Sequence, residues 1–381
     1  MVNATTLAMG GAVQIGVSLL EYAAAHPMPR LRVVYAASEA VAAGLSADVK
    51  KALALEVTRV SASRAWSGRP VRHRLLALEQ KAGVHLVYSA GFPSYVRFRV
   101  AEVGRYTNPW EMLPNPLALA TIPWRARPRL AARTAYRRAW ARRATWFETQ
   151  TEAGRDGIAR HLGVPRERIR VFPNAPNPRF LAADTSARAA GADRRILCLS
   201  AAHPHKNLGM VPRVARVLAA QPDAPRYRFV LTLPADSRLW RTIEDEARAA
   251  SVSSAIENVG PLSLAECVAA YADADAVFLP TLLEVFSATY VEAMAMRRPI
   301  VTSDLGFARA TCGEAALYHD PLSPVAAAEA LRRVCEDETA RLVLLEHGRR
   351  QLARFPSADE KHRQLFEWLQ DLAEREAAND R

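Results

Sequence analysis

The sequence predicts an α/β protein built from two doubly wound parallel sheets, and three observations support this. Residues 194–304 alternate short apolar runs with polar stretches of helical length, as buried parallel strands joined by helices do. Residues 1–90 show the same alternation less regularly. The chain has 381 residues, of which 50% are hydrophobic, so each half has enough material for a large core.

In the first half, MVNAT predicts the stub of a strand that leads directly into the glycine turn at Gly10 and Gly11. Helices and strands then alternate. The predicted elements are helix 11–25, strand 32–38, helices 46–55 and 71–82, and strand 84–90.

The second half is more regular. Its predicted strands are 194–201, 227–233, a strand that ends at IENVG, 276–280 and 299–304. Its predicted helices are 207–220, 237–250, 263–272 and 287–296. In such sheets ligands bind outside the carboxyl ends of the strands, so the loops that follow these strands are the places to look for a site.

The domain boundary is predicted at LAADTSARAAGAD, residues 181–193, which is small and polar and follows the turn-rich FPNAPNPRF. We therefore expect a first domain over 1–180, a linker over 181–193 and a second domain over 194–355. Residues 356–381 have the pattern of an amphipathic helix. We expect this helix to pack back toward the first domain.

Cysteine usage and the N-terminus predict a cytoplasmic protein. The cysteines are widely spaced, which argues against a zinc site or a disulfide framework. They are Cys198, Cys267, Cys312 and Cys335. Glycines and Gln14 interrupt the first apolar run, so we expect neither a signal peptide nor a membrane span.

The formal charge of +12 is concentrated in Pro123–Trp146, which carries eight arginines and no acidic residue. Read as a helix from about Arg129, this segment has apolar anchors among its basic positions. The anchors are Leu130, Tyr136, Trp140 and Trp146. This pattern suits an anionic lipid surface at the inner face of the membrane, a solvated or interdomain face, or a nucleic-acid groove. We do not expect nucleic acid to be the partner.

Three strand-end loops contain candidates for binding an anion. At Gly10 and Gly11, a strand stub, two glycines and a helix would let backbone N–H groups approach a phosphate. The alternative is a tight strand-to-helix turn. In HPHKN, Lys206 lies in a loop with His203 and His205 as further donors, and Asn207 is a plausible helix cap. No third ligand accompanies the two histidines, which argues against a metal. The alternative for Lys206 is a solvent-exposed lysine without a ligand.

The third loop contains two glutamates eight positions apart. Glu284 follows the strand that ends at Pro280, and Glu292 lies inside the next helix. The N–H groups that start this helix form an anion site, and each carboxylate can accept hydrogen bonds from a sugar hydroxyl. The alternative is that both glutamates are solvated surface residues. The helix-start residues are Phe286, Ser287, Ala288 and Thr289.

The stretch E-VFSATYV-E resembles the retaining glycosyltransferases of family 4, whose hallmark is two glutamates separated by seven residues. HPHKN resembles the family's phosphate lysine loop, VFPNAPNPRF its Pro-Asn turn before the linker, and MGGAVQIG its N-terminal glycine loop. The resemblance spans nearly the whole chain and is strongest over 170–325.

The resemblance implies the GT-B fold, in which two Rossmann-like domains face a cleft. It also implies that Glu284 contacts the hydroxyls of the donor sugar, Glu292 the ribose and Lys206 the diphosphate. Main-chain groups of Val259, Gly260 and Leu262 would hold the edge of the base. The remaining implied donor-binding residues are Gly10, Gly11, His203, His205, Phe286, Ser287, Ala288 and Thr289.

The chain departs from the family at two points. Family members often carry an arginine five residues before the lysine, where this chain has Ala201. They also commonly carry a histidine in an acceptor-side loop, and the alignment places Glu102 at that point. We therefore predict Glu102, with Glu284 and Lys206, as a catalytic residue.

The expected function is transfer of a hexose from a UDP- or GDP-linked donor, with retention, to a hydroxyl of a glycan or lipid-linked glycan. Bacterial surface polysaccharide or lipopolysaccharide synthesis would be the setting, and no metal cofactor is expected. The alternatives are a soluble small-molecule acceptor, a nucleotide-sugar epimerase of the same fold, and a lipid- or nucleic-acid-binding protein without catalysis. The D-x-D at Asp273 and Asp275 would suit a metal-dependent transferase, but it directly precedes a buried strand.

Overall fold

The computed structural model describes residues 1–8, 11–28, 30–185, 193–221 and 225–379. Within the predicted linker, residues 186–192 lie outside the described residues. The chain divides into two compact units. The first unit comprises Met1–Leu113, Pro128–Pro173 and Ser357–Arg381, and the second comprises Pro114–Arg127 and Asn174–Pro356.

The strands of the described residues are short and mostly buried, as the apolar runs predict. In chain order they are β1 (Val2–Ala4), β2 (Tyr35–Ser38), β3 (Glu56–Thr58), β4 (Leu86–Ser89), β5 (Ala101–Arg105), β6 (Trp146–Thr149), β7 (Ile169–Val171), β8 (Asp193–Cys198), β9 (Arg226–Leu231), β10 (Ile256–Asn258), β11 (Ala276–Leu279), β12 (Ile300–Ser303) and β13 (Ala316–His319).

Helices separate most of the strands. In chain order they are α1 (Gly11–Ala25), α2 (Glu39–Ala43), α3 (Ala47–Ala52), α4 (Arg69–Ala82), α5 (Pro109–Met112), α6 (Pro116–Ala120), α7 (Arg127–Ala141), α8 (Glu152–Leu162), α9 (Pro178–Leu181), α10 (Met210–Ala219), α11 (Arg238–Ala249), α12 (Leu264–Ala272), α13 (Ala288–Ala295), α14 (Gly306–Cys312), α15 (Pro324–Glu336), α16 (Glu338–Leu352) and α17 (Ala358–Asn379).

The first unit contains a parallel sheet with the strand order β3-β2-β1-β4-β5-β6-β7. Alternate residues of β2 point to opposite faces, because side chains on a strand alternate. Ala37 packs in a core with Leu20 of α1, whereas Ala36 packs with Leu75 of α4 on the other face. Both faces are therefore covered by helices, as a doubly wound sheet requires.

The second unit contains a parallel sheet with the strand order β10-β9-β8-β11-β12-β13. Ile196 of β8 packs in the core that holds Val214 of α10 and Leu331 of α15. Its neighbour Leu197 packs in the core on the opposite face with Tyr290 of α13. The prediction of two doubly wound parallel sheets is confirmed.

Helix α17, which contains the C-terminal segment, packs on the first sheet. Leu365, Phe366 and Leu369 lie in the same apolar core as strands β1 and β4. The indole N–H of Trp146 donates to the Glu376 carboxylate at 3.3 Å. These contacts make the last helix part of the first unit.

The arginine-rich segment differs in part from its predicted form. Helix α7 ends at Ala141, so Trp146 lies in β6 instead of on the helix. Its indole is half-buried and bonded to α17, so the prediction that Trp146 is an anchor on the basic helix is wrong. Trp140 is half-buried against Tyr95, with ring centroids 5.8 Å apart, whereas Trp124 is 70% exposed. In the described part of the chain, no helix is both long enough and apolar enough to cross a membrane.

Candidate active site

Two of the predicted loops meet at the carboxyl edge of the second sheet. Strands β8 and β11 are direct neighbours, with Ile196 opposite Ala276, so the loops that follow them start side by side. Lys206 lies in the loop after β8 and Glu284 in the loop after β11. Sheet order thus explains why residues 78 positions apart in sequence come together.

Hydrogen bonds tie these two loops to each other. The backbone N–H of Leu282 donates to the His205 carbonyl at 2.8 Å, and Thr281 Oγ1 lies 3.4 Å from the same oxygen. The Leu282 carbonyl accepts from the side-chain amide of Asn115 at 2.7 Å. Asn115 and Thr281 are not predictable from the sequence, because nothing in the local sequence marks a partner that only the fold brings close.

Lys206 and Glu284 form an ion pair at this edge, between Nζ and Oε1. Their side chains are only 18% and 10% exposed, and Thr281 Oγ1 donates to the same carboxylate oxygen at 3.2 Å. A nearly buried ion pair is costly to break by removing one partner, because the remaining charge stays desolvated. A ligand that offers a phosphate to the ammonium and hydroxyls to the carboxylate would satisfy both groups.

The two histidines of the lysine loop stack with ring centroids 5.4 Å apart and an interplanar angle of 9°. Burial, together with the neighbouring charges of Lys206 and His203, lowers the pKa of His205 to about 3. His205 is therefore neutral at neutral pH, and it does not supply the positive charge that Ala201 lacks relative to the family.

The prediction that Asn207 caps a helix N-terminus is wrong. Pro204–Lys206 forms a short 3₁₀ turn, and Asn207 ends it with φ at 54° in the left-handed region, where asparagine is enriched. The next helix, α10, begins only at Met210. The lysine therefore projects from a tight turn instead of from the loop just before a helix.

Helix α13 starts after Ser287, whose side chain makes no cap hydrogen bond. The N–H groups of a first helical turn have no carbonyl in a preceding turn to bond, so they favour an anion. Phe286 just before it packs edge-to-face on Phe355, with ring centroids 5.8 Å apart. Ala288 at the start of the helix is exposed.

Glu292 lies in the second turn of α13 and is half-buried. Tyr271 of α12 donates its hydroxyl to Glu292 Oε2 at 2.9 Å. Burial raises the pKa of Glu292 from its usual value near 4.5 to about 7, with the Tyr271 hydrogen bond acting in the opposite direction. Tyr271, like Asn115, carries no signal in the local sequence that would predict this contact.

The loop predicted to hold the base follows β10. Gly260 has φ at 81°, in the left-handed region that glycine adopts without strain. Val259 and Leu262 line a cavity of about 290 Å³ together with the apolar Leu197 and Val230, and its other walls include the charged Arg195, Glu266 and Asp273. The walls contributed by the apolar side chains suit one face of a planar ring.

Three predicted site residues belong to the first half of the chain, and their place relative to this group is not assigned. Gly10 lies outside the described residues. Gly11 is the exposed first residue of α1 in the first unit, with open space where a side chain would be. Its role in phosphate binding stays a prediction.

Glu102, also in the first unit, lies within strand β5 and not in a loop after a strand. Its carboxylate is buried and accepts a hydrogen bond from Ser89 Oγ at 2.6 Å. Burial raises the pKa of Glu102 to about 7, while hydrogen bonds from Ser89 and Ser94 act in the opposite direction. The expected loop position is wrong, and a catalytic role for Glu102 stays a prediction.

The D-x-D pair is occupied by structural contacts with one arginine. The backbone N–H of Arg195 donates to Asp275 Oδ2 at 2.7 Å, and its Nε lies 2.7 Å from Asp273 Oδ2. Asp275 precedes β11 at the amino edge of the sheet, whereas Lys206 and Glu284 lie at the carboxyl edge. Asp273 also lines the cavity that Val259 and Leu262 border, but Arg195 engages both aspartates.

Comparison with known proteins finds a glycosyltransferase family, in agreement with the motifs of the sequence. The matching family model is described as Glycosyl transferases group 1 and covers residues 193–337. A D-inositol 3-phosphate glycosyltransferase from Corynebacterium urealyticum is 28% identical over 230 residues, which are 59% of this chain and 48% of the relative. The chain spans about half the length of the curated relatives it matches.

Solved structures share the fold over nearly the whole chain. A glycosyltransferase from Rickettsia africae has a TM-score of 0.70 at 11% identity and covers 97% of both chains. Anabaena Alr3699/HepE, in complex with UDP-glucose, has a TM-score of 0.69 at 12% identity and covers 97% of this chain and 98% of its own. The second unit thus matches the Glycosyl transferases group 1 model in sequence, and the chain as a whole shares the GT-B fold of these solved glycosyltransferases.

Proposed function

We propose that this protein transfers a hexose from a nucleotide diphosphate sugar to a hydroxyl group, with retention at the anomeric carbon and without an essential metal. The observation that carries the proposal is the Lys206–Glu284 pair at the carboxyl edge of the second sheet. It combines a cation for the diphosphate with an acceptor for sugar hydroxyls. Retention is inferred from the resemblance of the two-glutamate motif to the retaining family.

The donor binds by exchanging partners with this ion pair. Its diphosphate replaces the Glu284 carboxylate on Lys206 Nζ, and the N–H groups at the start of α13 bind the same charge. Glu284 is then available to the hydroxyls of the sugar. Glu292, eight residues further along, binds the ribose hydroxyls, for which its ionised form is the better acceptor.

Catalysis follows from the charge that develops as the sugar leaves. The bond between the anomeric carbon and the diphosphate breaks, and the acceptor oxygen forms the new bond on the same face. The acceptor proton passes to the departing phosphate, so no separate base is needed. Lys206 and the helix start stabilise the negative leaving group.

The helix end alone contributes about 0.3 to 2 kcal/mol. Enzymes lower barriers by roughly 8 kcal/mol or more, so positioning of the two substrates must supply a large share.

The absence of an essential metal is part of the proposal. The carboxylates best placed by sequence to hold a divalent ion, Asp273 and Asp275, are engaged by Arg195 and lie at the opposite edge of the sheet. Lys206 and the start of α13 supply the positive charge in its place. Transfer activity that persists in excess EDTA supports this, and activity that is lost in EDTA and restored by Mg²⁺ or Mn²⁺ contradicts it.

A nucleotide panel tests the proposal directly. A ligand that binds only the folded state raises its stability with the logarithm of ligand concentration over Kd. We expect UDP or GDP to raise the Tm by several degrees. Each kcal/mol of added stability shifts the Tm by about 2–4 °C in a domain of roughly 150–250 residues. UDP is the first candidate, because Anabaena Alr3699/HepE binds UDP-glucose. Indifference of the Tm to UDP, GDP, ADP and their sugars would contradict the proposal.

For the acceptor, a lipid-linked glycan at the inner membrane face is the first candidate. Helix α7 carries exposed Arg129 and Arg133, and the exposed Trp124 precedes it. Basic and aromatic groups of this kind favour an anionic lipid surface. A small phosphorylated acceptor is the second candidate, because the curated relatives are named D-inositol 3-phosphate glycosyltransferase.

Liposome co-sedimentation separates these two candidates. We expect binding to vesicles that contain phosphatidylglycerol and weaker binding at high salt, since salt screens the arginine charges. Substitution of Arg129 and Arg133 by glutamate should remove the binding. If equal amounts of protein sedimented with neutral and with anionic vesicles, the contact with an anionic membrane would be contradicted and the small acceptor favoured.

A further inference from the structure

We propose that Tyr271 is a positioning residue for the nucleotide donor. It holds the Glu292 carboxylate in the orientation that accepts a hydrogen bond from a ribose hydroxyl, and the site thereby selects a ribonucleotide over a deoxyribonucleotide. This role of Tyr271 rests on the proposed function, in which Glu292 binds the ribose.

The Glu292 carboxylate is held at one of its two oxygens. Tyr271 donates its hydroxyl to Oε2 at 2.9 Å. Among the described residues, none donates a hydrogen bond to Oε1. An ionised carboxylate has room for several donors, so Oε1 can accept from a ligand while Tyr271 keeps Oε2.

Tyr271 itself is fixed by its surroundings. Its side chain is fully buried, and its ring packs edge-to-face on Phe180 with centroids 5.5 Å apart and an interplanar angle of 88°. The Arg298 guanidinium donates from Nε to the Tyr271 carbonyl at 2.8 Å. The hydroxyl therefore has a fixed position before any ligand arrives, which lowers the entropy cost of binding.

The packing of α12 on α13 does not require a carboxylate at this position. The Tyr271 hydroxyl lies 3.4 Å from the Thr289 carbonyl oxygen, so a main-chain acceptor is already at hand. Burial raises the pKa of Glu292 to about 7, which makes the ionised side chain a cost to the stability of the fold at neutral pH. A carboxyl group kept at such a cost, beside a rigid donor and with one oxygen open, is typical of a ligand site.

Ribose offers a 2′-hydroxyl and a 3′-hydroxyl to such an acceptor. A site that is built to accept a hydroxyl discriminates strongly against an analogue that lacks it, because the acceptor is then left unpaired. The fixed carboxylate should therefore distinguish UDP from at least one of 2′-deoxy-UDP and 3′-deoxy-UDP.

Calorimetric titration with these three nucleotides tests the role of Tyr271, and the guanosine series replaces them if the wild type binds GDP instead. The wild type should bind UDP roughly tenfold more tightly than at least one deoxy analogue, because a charged hydrogen bond is lost. Tyr271→Phe keeps the ring on Phe180 and removes only the hydroxyl. It should weaken UDP by about tenfold and that deoxy analogue far less, so that most of the preference disappears.

A double variant shows whether Tyr271 acts through Glu292. In a Glu292→Ala background, Tyr271→Phe should cause no further loss of UDP affinity, because the carboxylate that it positions is gone. Tyr227→Phe is the matched control. The buried Tyr227 also donates to a glutamate, Glu336 Oε1 at 2.7 Å, and its removal should leave both UDP affinity and the preference at wild-type values.

The pH dependence of the preference gives a second readout. The preference is a ratio of two affinities, so the titration of the phosphates cancels. In the wild type it should grow as the pH rises through about 7, where Glu292 ionises. Cys267 of α12 also lies near Glu292, but burial raises the pKa of this thiol to about 11, so it stays neutral over this range. In Tyr271→Phe the midpoint should move to higher pH, because a hydrogen bond that favours the ionised carboxylate is lost.

Three results would overturn the role of Tyr271. They are a wild type that binds UDP no better than either deoxy analogue, a full preference in Tyr271→Phe, and an equal loss of UDP and deoxy affinity in that variant, which would show a structural role only. The first result needs no variant, so it decides the matter even if Tyr271→Phe folds poorly. Failure of the proposed function looks different, because the wild type would then bind no nucleotide at all.

Discussion

Replacement of Glu284 by alanine is expected to lower sugar transfer by roughly 100- to 1000-fold, the loss typical when one preorganised hydrogen-bonding group is removed from an active site. Glu284 contacts the sugar in the proposed complex and not the phosphates. Nucleoside diphosphate binding should therefore survive. Nucleoside diphosphate binding should become tighter, because Lys206 loses the carboxylate that competes for its ammonium group.

The measurement is a pair of assays, initial transfer rate and calorimetric titration of the nucleoside diphosphate. Lys206→Ala is the matched comparison and should lose both transfer and diphosphate binding. Glu284→Gln keeps the side-chain volume and an acceptor oxygen for Thr281, so it separates lost chemistry from lost packing. Normal turnover in Glu284→Ala would show that the role assigned to this residue is wrong.

Glu292→Gln is expected to make the protein more stable at pH 8 and weaker in nucleotide binding. The folded-state pKa of Glu292 is raised to about 7 from the usual value near 4.5, so the folded protein binds more protons between these two values. Its stability therefore falls as the pH rises from about 4.5 to 7, and stays lower above that. Glutamine does not titrate and avoids the loss.

The gain in the free energy of unfolding of Glu292→Gln at pH 8 is at most roughly 3 kcal/mol, because each unit of pKa shift corresponds to about 1.4 kcal/mol. It should vanish below about pH 4.5, where the unfolded carboxyl is also protonated. Urea denaturation of the wild type and of Glu292→Gln at pH 8 and pH 4.5 measures the difference in the free energy of unfolding. Calorimetric titration measures the weaker binding of the nucleotide.

Glu102→Gln is the internal control for this experiment. Burial raises the pKa of Glu102 to about 7 as well, so it should show the same pH-dependent gain in stability. Glu102 lies within β5 with its carboxylate on Ser89, and the proposal assigns it no contact with the nucleotide, so nucleotide affinity should not change. Equal loss of nucleotide affinity in both variants, or no gain in stability at pH 8 for Glu292→Gln, would contradict the assignment of Glu292 to the ribose.

Most regular elements were predictable from the sequence. Strands that are buried on both faces have continuous apolar runs, whereas helices repeat their apolar residues about every 3.6 positions. Helix α1 has the predicted bounds, and α13 differs from its prediction by one residue at each end. The start of α10 was not predictable. The 3₁₀ turn at Pro204–Lys206 and the left-handed Asn207 delay it to Met210, and such turn geometry depends on tertiary contacts.

The site was predictable where its residues follow strand ends and unpredictable where partners come from elsewhere in the chain. Lys206 and Glu284 each follow a recognisable strand. Tyr271 is 21 residues from Glu292, and Asn115 is 167 residues from Leu282. Such pairings come from the packing of whole elements, and no local pattern contains them.

The central claim is that Lys206 binds the diphosphate of a nucleotide donor, and one comparison of Tm shifts tests it most directly. The nucleoside diphosphate that stabilises the wild type best, and the matching monophosphate, are each added to the wild type, Lys206→Ala and Lys81→Ala. Lys81 is an exposed lysine in the last turn of α4, so it controls for the loss of a charge. The proposal predicts that the diphosphate raises the Tm more than the monophosphate in the wild type and in Lys81→Ala, and that this difference disappears in Lys206→Ala. A full diphosphate advantage in Lys206→Ala would contradict it.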